Sequence, residues 1–376
     1  MVLCGIDMIS KYDGILKDAR IGLVTAPTGV DKNMRPTYEV LMEKYNVTAL
    51  FAPEHGIRGD AQAGDHISTY VDEETGLTVY SLFGENKIPS AEMMSNVDVL
   101  VFDMQDVGAR YYTFLYAMTH CMQACAKYGK EMMVLDRPNP INGVSVEGVT
   151  LDEQFSSGVG EYAVPIRYGL TMGEFALYIN AVKNIGCNLT VVPCEGWKRD
   201  SLFDTTGLPW ILPSPNLATP VSSTLNYIAT CYFEGTNISE GRGTTIPFEI
   251  AGAPFIDAAE LERRLNAYKL DGVHVRRCYF TPTFSKHKGV RCGGVQLHIT
   301  DTAAYRPFEA GMYLYKEIVN LSGDNLEMTY DGKHLVHLYG NEDILSPDFD
   351  PAAAIEQGRA DSAEFAKIKK AYHIYY

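Results

Sequence analysis

The chain has 376 residues, 46% of them hydrophobic, which is ample for a core and, by length, for two to three domains. A formal net charge of −15 excludes a phosphate-backbone binder, which needs a basic footprint, and says little about small substrates. No apolar run reaches the roughly 18 residues of a membrane span. Residues 1–7 lack the basic start and apolar centre of a secretory signal, so the expected location is cytoplasmic, although a trimmed secreted form would look the same. Eight cysteines with no CxxC pair read as reduced, buried thiols rather than a disulfide scaffold.

In chain order, residues 21–25 form the first predicted strand, followed by a helix over 36–45 and a second strand over 47–51 that stops at Pro53-Glu54-His55-Gly56. Residues 60–75 are polar and irregular, a loop long enough to fold over a site. An edge-like strand over 77–82 and a short helix over 89–95 precede the buried strand 99–103. There the sequence turns abruptly polar, from Asp103 to Tyr112, before a helix that runs to residue 127. A strand over 132–135 ends at Asp136-Arg137-Pro138-Asn139. Thr171 and Glu174 have capping-box spacing at the start of a helix over 171–185, and a strand over 189–192 follows. Strands alternating with helices predict an α/β fold, a Rossmann-like, doubly wound, mostly parallel sheet. Proline density at 207–216 breaks the pattern. Beyond it, helices over 221–232, 258–268 and 307–319 with strands over 273–280 and 295–300 predict a smaller α+β domain. The expected division is 1–220 and 221–376.

If the strands are parallel, the polar clusters at Glu54 to Arg58, Asp103 to Tyr112, Asp136 to Asn139 and Glu195 converge on one sheet edge, where open α/β sheets bind ligands. Clustered carboxylates and arginines suit general acid/base work on a polar, anionic substrate. Glu54 follows an apolar strand and a proline, so partial desolvation would suit it as a catalytic acid. His55 is a base or a ligand to hydroxyls, with a structural hydrogen-bonding role as the alternative. Asp103 and Asp106 face different directions in a regular loop, so one of them is structural. Tyr111, Tyr112 and Tyr168 are candidates to stack on sugar rings, each also an ordinary core residue. No zinc spacing occurs, and an Asp/Gln/Asp oxygen set for Mg²⁺ is the remaining metal reading. The glycine-rich stretch 234–243 has neither a P-loop ending nor a dinucleotide fingerprint; its glycines let Asn237, Glu240 and Arg242 approach a ligand from the second domain.

The motifs Phe51 to Gly59, Asp103 to Thr113, Leu135 to Pro140, Val146-Glu147-Gly148, Pro213 to Asn216 and Glu234 to Thr244, in this order, resemble the NamZ family of exo-β-N-acetylmuramidases, and the likeness covers essentially the whole chain. The resemblance implies a Rossmann-like catalytic domain and a smaller C-terminal domain. It also implies release of terminal N-acetylmuramic acid from the non-reducing ends of peptidoglycan fragments, with no cofactor and no metal. It carries Glu54 over as general acid/base and makes peptidoglycan-derived saccharides the partner. Muramic acid bears a lactyl carboxylate, for which Arg58, Arg110, Arg137 and Arg242 are the candidate cations. Gln105, Asn139 and Asn237 suit its hydroxyl and acetamido groups. Asp106, Glu147 or Glu240 is the second catalytic group, unless the substrate's own acetamido group assists. A non-catalytic muropeptide-binding protein is the alternative reading.

Overall fold

The apolar runs read from the sequence assemble into a seven-stranded sheet in a computed structural model that describes residues 1–54, 56–59, 68–82, 84 and 87–376. After a 3₁₀ segment (Gly5–Tyr12) and α1 (Asp13–Leu16) come β1 (Arg20–Thr25), α2 (Thr37–Met42), β2 (Asn46–Ala52), β3 (Tyr70–Val71) and β4 (Thr78–Ser81). There follow α3 (Ala91–Met94), β5 (Val99–Asp103), α4 (Phe114–Tyr128), β6 (Glu131–Leu135), β7 (Glu147–Thr150), β8 (Pro165–Arg167), α5 (Met172–Val182) and β9 (Asn188–Val192). The sheet order is β3-β4-β2-β1-β5-β6-β9, parallel throughout except for β3. The chain moves outward from β1 to β2 and β4, then returns to β5 and moves the other way. The topological switch point therefore lies between β1 and β5, as in other doubly wound sheets.

Strand periodicity explains both layers. Val99 and Val101 of β5 face a cluster with Ile6, Leu16, Tyr38 and Leu41, whereas Leu100 and Phe102 face one with Phe114, Met118, Met122 and Phe175. At the start of α5, Thr171 accepts the Glu174 backbone N–H and the Glu174 carboxylate accepts the Thr171 backbone N–H, the expected capping box. Two expectations change. Residues 77–82 are not the edge, because β3 pairs antiparallel outside β4. Of the loop expected over 60–75, residues 60–67 lie outside the described residues. The remainder is β3 and a turn closed by Asp72, which accepts from the Thr75 N–H and hydroxyl.

The smaller part holds α6 (Ser222–Thr230), β10 (Ile250–Ala253), α7 (Ala258–Ala267), β11 (Val273–Phe280), β12 (Cys292–Ile299), α8 (Pro307–Ser322), α9 (Lys333–Tyr339) and α10 (Pro351–Ile368). Its three-stranded antiparallel sheet has the order β10-β12-β11. The β7–β8 hairpin, β10, α9 and α10 had no counterpart in the sequence reading. α10 packs on the β7–β8 hairpin, and the chain then returns to the first sheet, where the Tyr375 hydroxyl donates to Asp136 at 2.6 Å and Lys369 Nζ to the Gly143 and Gly169 carbonyls. One hydrophobic cluster runs from Phe102 and Phe175 through Ile228 and Phe308 to Ile355 and Phe365, so the core is continuous across residue 220.

Limited proteolysis at the exposed positions of the proline-rich 207–220 stretch, such as Thr219, is therefore expected to give two bands on a denaturing gel but a single peak in native gel filtration. Separation of the nicked pieces would refute the continuous core.

Candidate active site

Glu54 stands one residue beyond Pro53 at the carboxyl end of β2. Its Oε2 accepts the Thr113 hydroxyl at 3.0 Å from the residue just before α4. It lines an open cavity with Pro53, Leu82, Lys87, Thr113, Tyr116, Ala117, His120, Gly158 and Glu161. His120 projects from α4, and its Nε2 lies 3.0 Å from Glu161 Oε2. The cavity thus joins two carboxylates, an imidazole oriented by one of them, and a lysine that forms no ion pair among the described residues. His55 lies outside the described residues.

Behind this wall, the Tyr112 phenol is buried and donates to the Pro213 carbonyl at 2.6 Å. Burial pushes its pKa up, and the charges of Asp106 and Glu54 push it further, so Tyr112 sits within the field of both. Asp106 is buried, and burial pushes its pKa up to about 6 against the hydrogen bonds from Tyr168 and Gly108. Its Oδ1 has no hydrogen-bond partner among the described residues. Gly108 turns the chain at φ +79°, where a Cβ would meet Asn139 Oδ1 at 2.7 Å, so this turn requires glycine.

Several expected ligands hold the protein together instead. Asp103 and Arg137 form a buried, bidentate pair with Nε–Oδ1 at 2.6 Å and Nη2–Oδ2 at 2.8 Å. Burial alone disfavours the Arg137 charge; the Asp103 carboxylate outweighs it and holds the guanidinium above its ordinary pKa. Arg110 is wholly buried and donates to the carbonyls of Val149, Val164, Leu338 and Tyr339, so it is no clamp for a ligand. Arg58 is bound to Asp72 and Glu74. Tyr168 is buried against Asp106 and cannot stack on a sugar. The Asn139 amide is committed to the Leu170 carbonyl and the Ile141 N–H, and that of Asn237 to the Asn325 carbonyl and the Glu327 N–H. Gln105 donates to the Asp106 and Pro138 carbonyls and lines a separate crevice beside Arg137 and Trp210.

Glu147 does not share the Glu54 cavity. It pairs with buried Arg167 at 2.5 Å and lines another cavity with Phe308, at the start of α8, and Gly358 of α10. Burial raises its pKa against the pull of Arg167. Glu240 and Arg242 pair with each other in the C-terminal part. Lys87, Thr113, His120 and Glu161 were missed by the sequence reading.

An acid–base cluster over the carboxyl edge of a doubly wound sheet defines an α/β protein built for carboxylate-dependent chemistry. Residues 21–221 match the N-terminal domain of exo-β-N-acetylmuramidase NamZ and residues 225–375 its C-terminal domain. The peptidoglycan β-N-acetylmuramidase NamZ of Bacillus subtilis (strain 168) is 46% identical over 380 residues, spanning 100% of this chain and 91% of the relative. Two crystal structures of DUF1343 family proteins from Bacteroides fragilis NCTC 9343 share the fold. One, at 1.65 Å, has a TM-score of 0.92 at 34% identity; the other, at 1.30 Å, has 0.79 at 31%. Each is covered over 99% of its chain by 100% of this one. The chain belongs to the NamZ family of exo-β-N-acetylmuramidases.

The raised pKa of Asp106 has a stability consequence. Between the unfolded carboxyl pKa near 3.9 and about 6, the folded state binds more protons than the unfolded one, so this group's contribution to stability falls as pH rises. Asp106→Asn, measured by thermal unfolding against wild type, is expected to gain about 1–3 kcal/mol in relative stability between pH 4 and pH 7.5. A pH-independent difference would show that Asp106 is not held protonated by the fold.

Proposed function

We propose that this chain is an exo-acting glycoside hydrolase that releases terminal N-acetylmuramic acid from the non-reducing ends of peptidoglycan fragments. The observation that carries this reading is the cavity shared by Glu54, His120 and Glu161 in a chain of this family. Glu54 protonates the glycosidic oxygen as the C1–O bond breaks and the bonding electron pair leaves with the aglycone. Water adds to C1 and gives its proton to His120, which Glu161 orients through the 3.0 Å contact. Proton return through solvent resets both groups. Lys87 supplies the positive charge that meets the lactyl carboxylate, since the four arginines suggested by sequence are each bound within the protein.

We further infer that residues 1–220 carry the chemistry and residues 221–376 form the second domain, a division supported by family matches ending at 221 and beginning at 225. All eight cysteines are free thiols. This supports a reducing compartment, and with it a cytoplasmic role in recycling muropeptides. No described helix is long and apolar enough to cross a membrane.

The test is release of free N-acetylmuramic acid from a MurNAc–GlcNAc disaccharide. Wild type is expected to release it, Glu54→Gln to lose about 10³-fold or more in kcat, and His120→Gln about 10²–10⁴-fold, with folding intact. Full activity in Glu54→Gln would remove Glu54 from the chemistry, and no release by folded wild type would overturn the activity itself.

Lys87→Ala is expected to weaken inhibition by free N-acetylmuramic acid about tenfold, the loss of one charge-assisted hydrogen bond, with inhibition by N-acetylglucosamine changed by less than about twofold. Equal weakening of both would show that Lys87 does not read the lactyl group.

A further inference from the structure

The C-terminal part carries a second open cleft, of about 510 Å³, that shares no described lining residue with the Glu54 cavity. Its floor is a charged lattice. Buried Glu240 meets Arg242 at 3.1 Å and Lys286 at 2.8 Å, and Arg242 also meets Glu234 at 2.5 Å. Two carboxylates and two cations cancel. The remaining titratable wall residue, His334, is kept below its ordinary pKa by burial, so the surface is polar without a net charge. Such a lattice offers donors and acceptors in alternation and gives no advantage to an anion.

Above this floor stand two exposed aromatic side chains, Phe284 (44% exposed) and Tyr330 (76%), on separate segments of the chain. Backbone strain is concentrated here too. Of nine described non-glycine residues with positive φ, Ser285 and Tyr330 line this cleft, Asp331 follows Tyr330 in the chain, and Phe248 and His287 lie behind it. Phe248 lies beneath the Arg242 guanidinium at 5.2 Å, Ser285 and Tyr330 line the cleft, and His287 Nε2 is 2.6 Å from the Asn237 carbonyl. Bulky residues adopt this conformation rarely, and such strain gathers where the surrounding structure over-determines a functional geometry.

We propose that this cleft is a second saccharide site, taking a neutral N-acetylhexosamine of the glycan that remains on the leaving side of the cut. The apolar ring faces of the sugar stack on Tyr330 and Phe284, and its hydroxyl and acetamido groups bond to the Arg242–Glu240–Lys286 lattice. The identity of the sugar rests on the exo-muramidase reading; the existence of the site rests on the cleft alone.

The test is calorimetric titration of the full chain with chitotriose, a neutral oligomer of β-1,4-linked N-acetylglucosamine, beside free N-acetylmuramic acid. Chitotriose is expected to bind wild type, Tyr330→Ala and Phe284→Ala each to weaken Kd at least fivefold, and Tyr330→Phe to restore it. The two alanine variants are also expected to raise KM for a tetrasaccharide more than for the disaccharide. Absent binding, binding indifferent to both aromatic residues, or a Tyr330-dependent preference for N-acetylmuramic acid or a stem peptide would overturn the proposal. Chitotriose binding is read without turnover. If muramic acid is not released but Tyr330-dependent binding persists, only the activity fails; if release occurs without such binding, only the second site fails.

Discussion

The buried pair between Asp103 and Arg137 is the constraint on which the carboxyl edge of the sheet rests. It sits where β1 and β5 part company, the place where a doubly wound sheet leaves a crevice at its carboxyl edge. Arg137, beyond β6, grips Asp103 at the end of β5 with two hydrogen bonds and reaches the Val30 carbonyl beyond β1; Thr37, opening α2, donates to the same carboxylate. Four segments are thereby fixed by one ion pair. Its net contribution to stability is modest because both charges lose water, but removal of either partner leaves the other buried and uncompensated, at a cost of about 3–5 kcal/mol.

The same physics decides which polar groups are available for chemistry. A guanidinium inside an apolar core needs hydrogen-bond partners, and Arg110 finds four carbonyls for its two Nη groups, drawn from positions as distant as Val149 and Tyr339, while its Nε has none among the described residues. It is a bolt between the two halves of the chain. Asp106 follows another course: among the described residues one of its oxygens has no partner, and burial favours the proton there. Glu54, His120, Glu161 and Lys87 differ from both in lining open space.

That distinction marks how far the sequence could be read. Periodicity identified the parallel strands, Thr171 and Glu174 announced a helix start, and an apolar strand followed by Pro53 pointed to Glu54. The clusters at the strand ends were also legible, but a run such as Asp136-Arg137-Pro138-Asn139 has the same composition whether it binds ligand or locks a sheet. Only pairing distinguishes the two cases, and Arg137 finds its partner 34 residues away. His120 was concealed differently. It lies in a helix whose neighbours Met118, Cys121 and Met122 are all buried, so helical spacing predicts core there. Glu161 comes from the connection between β7 and β8, a short hairpin with little strand signal, and Lys87 from a loop. Neither has a local pattern that foretells a shared cavity.

The division of charge between the two clefts fits an enzyme that cuts at a chain end. Over the Rossmann-like sheet, Glu54, the His120–Glu161 pair and a lysine with no ion pair among the described residues line one open cavity, which suits a group that carries its own negative charge and must exchange protons. In the C-terminal cleft Glu234, Glu240, Arg242 and Lys286 each already have an opposite charge within about 3 Å, and what is left to offer is hydrogen-bond geometry and aromatic surface. A site that has neutralised itself discriminates by shape rather than by field. Transition-state stabilisation belongs with groups whose charge is not already satisfied in the resting protein, whereas uniform grip on a substrate's remote part lowers KM without raising kcat. The two surfaces are therefore suited to different tasks, and the residues that could exchange them are the ones the fold has already committed to holding itself together.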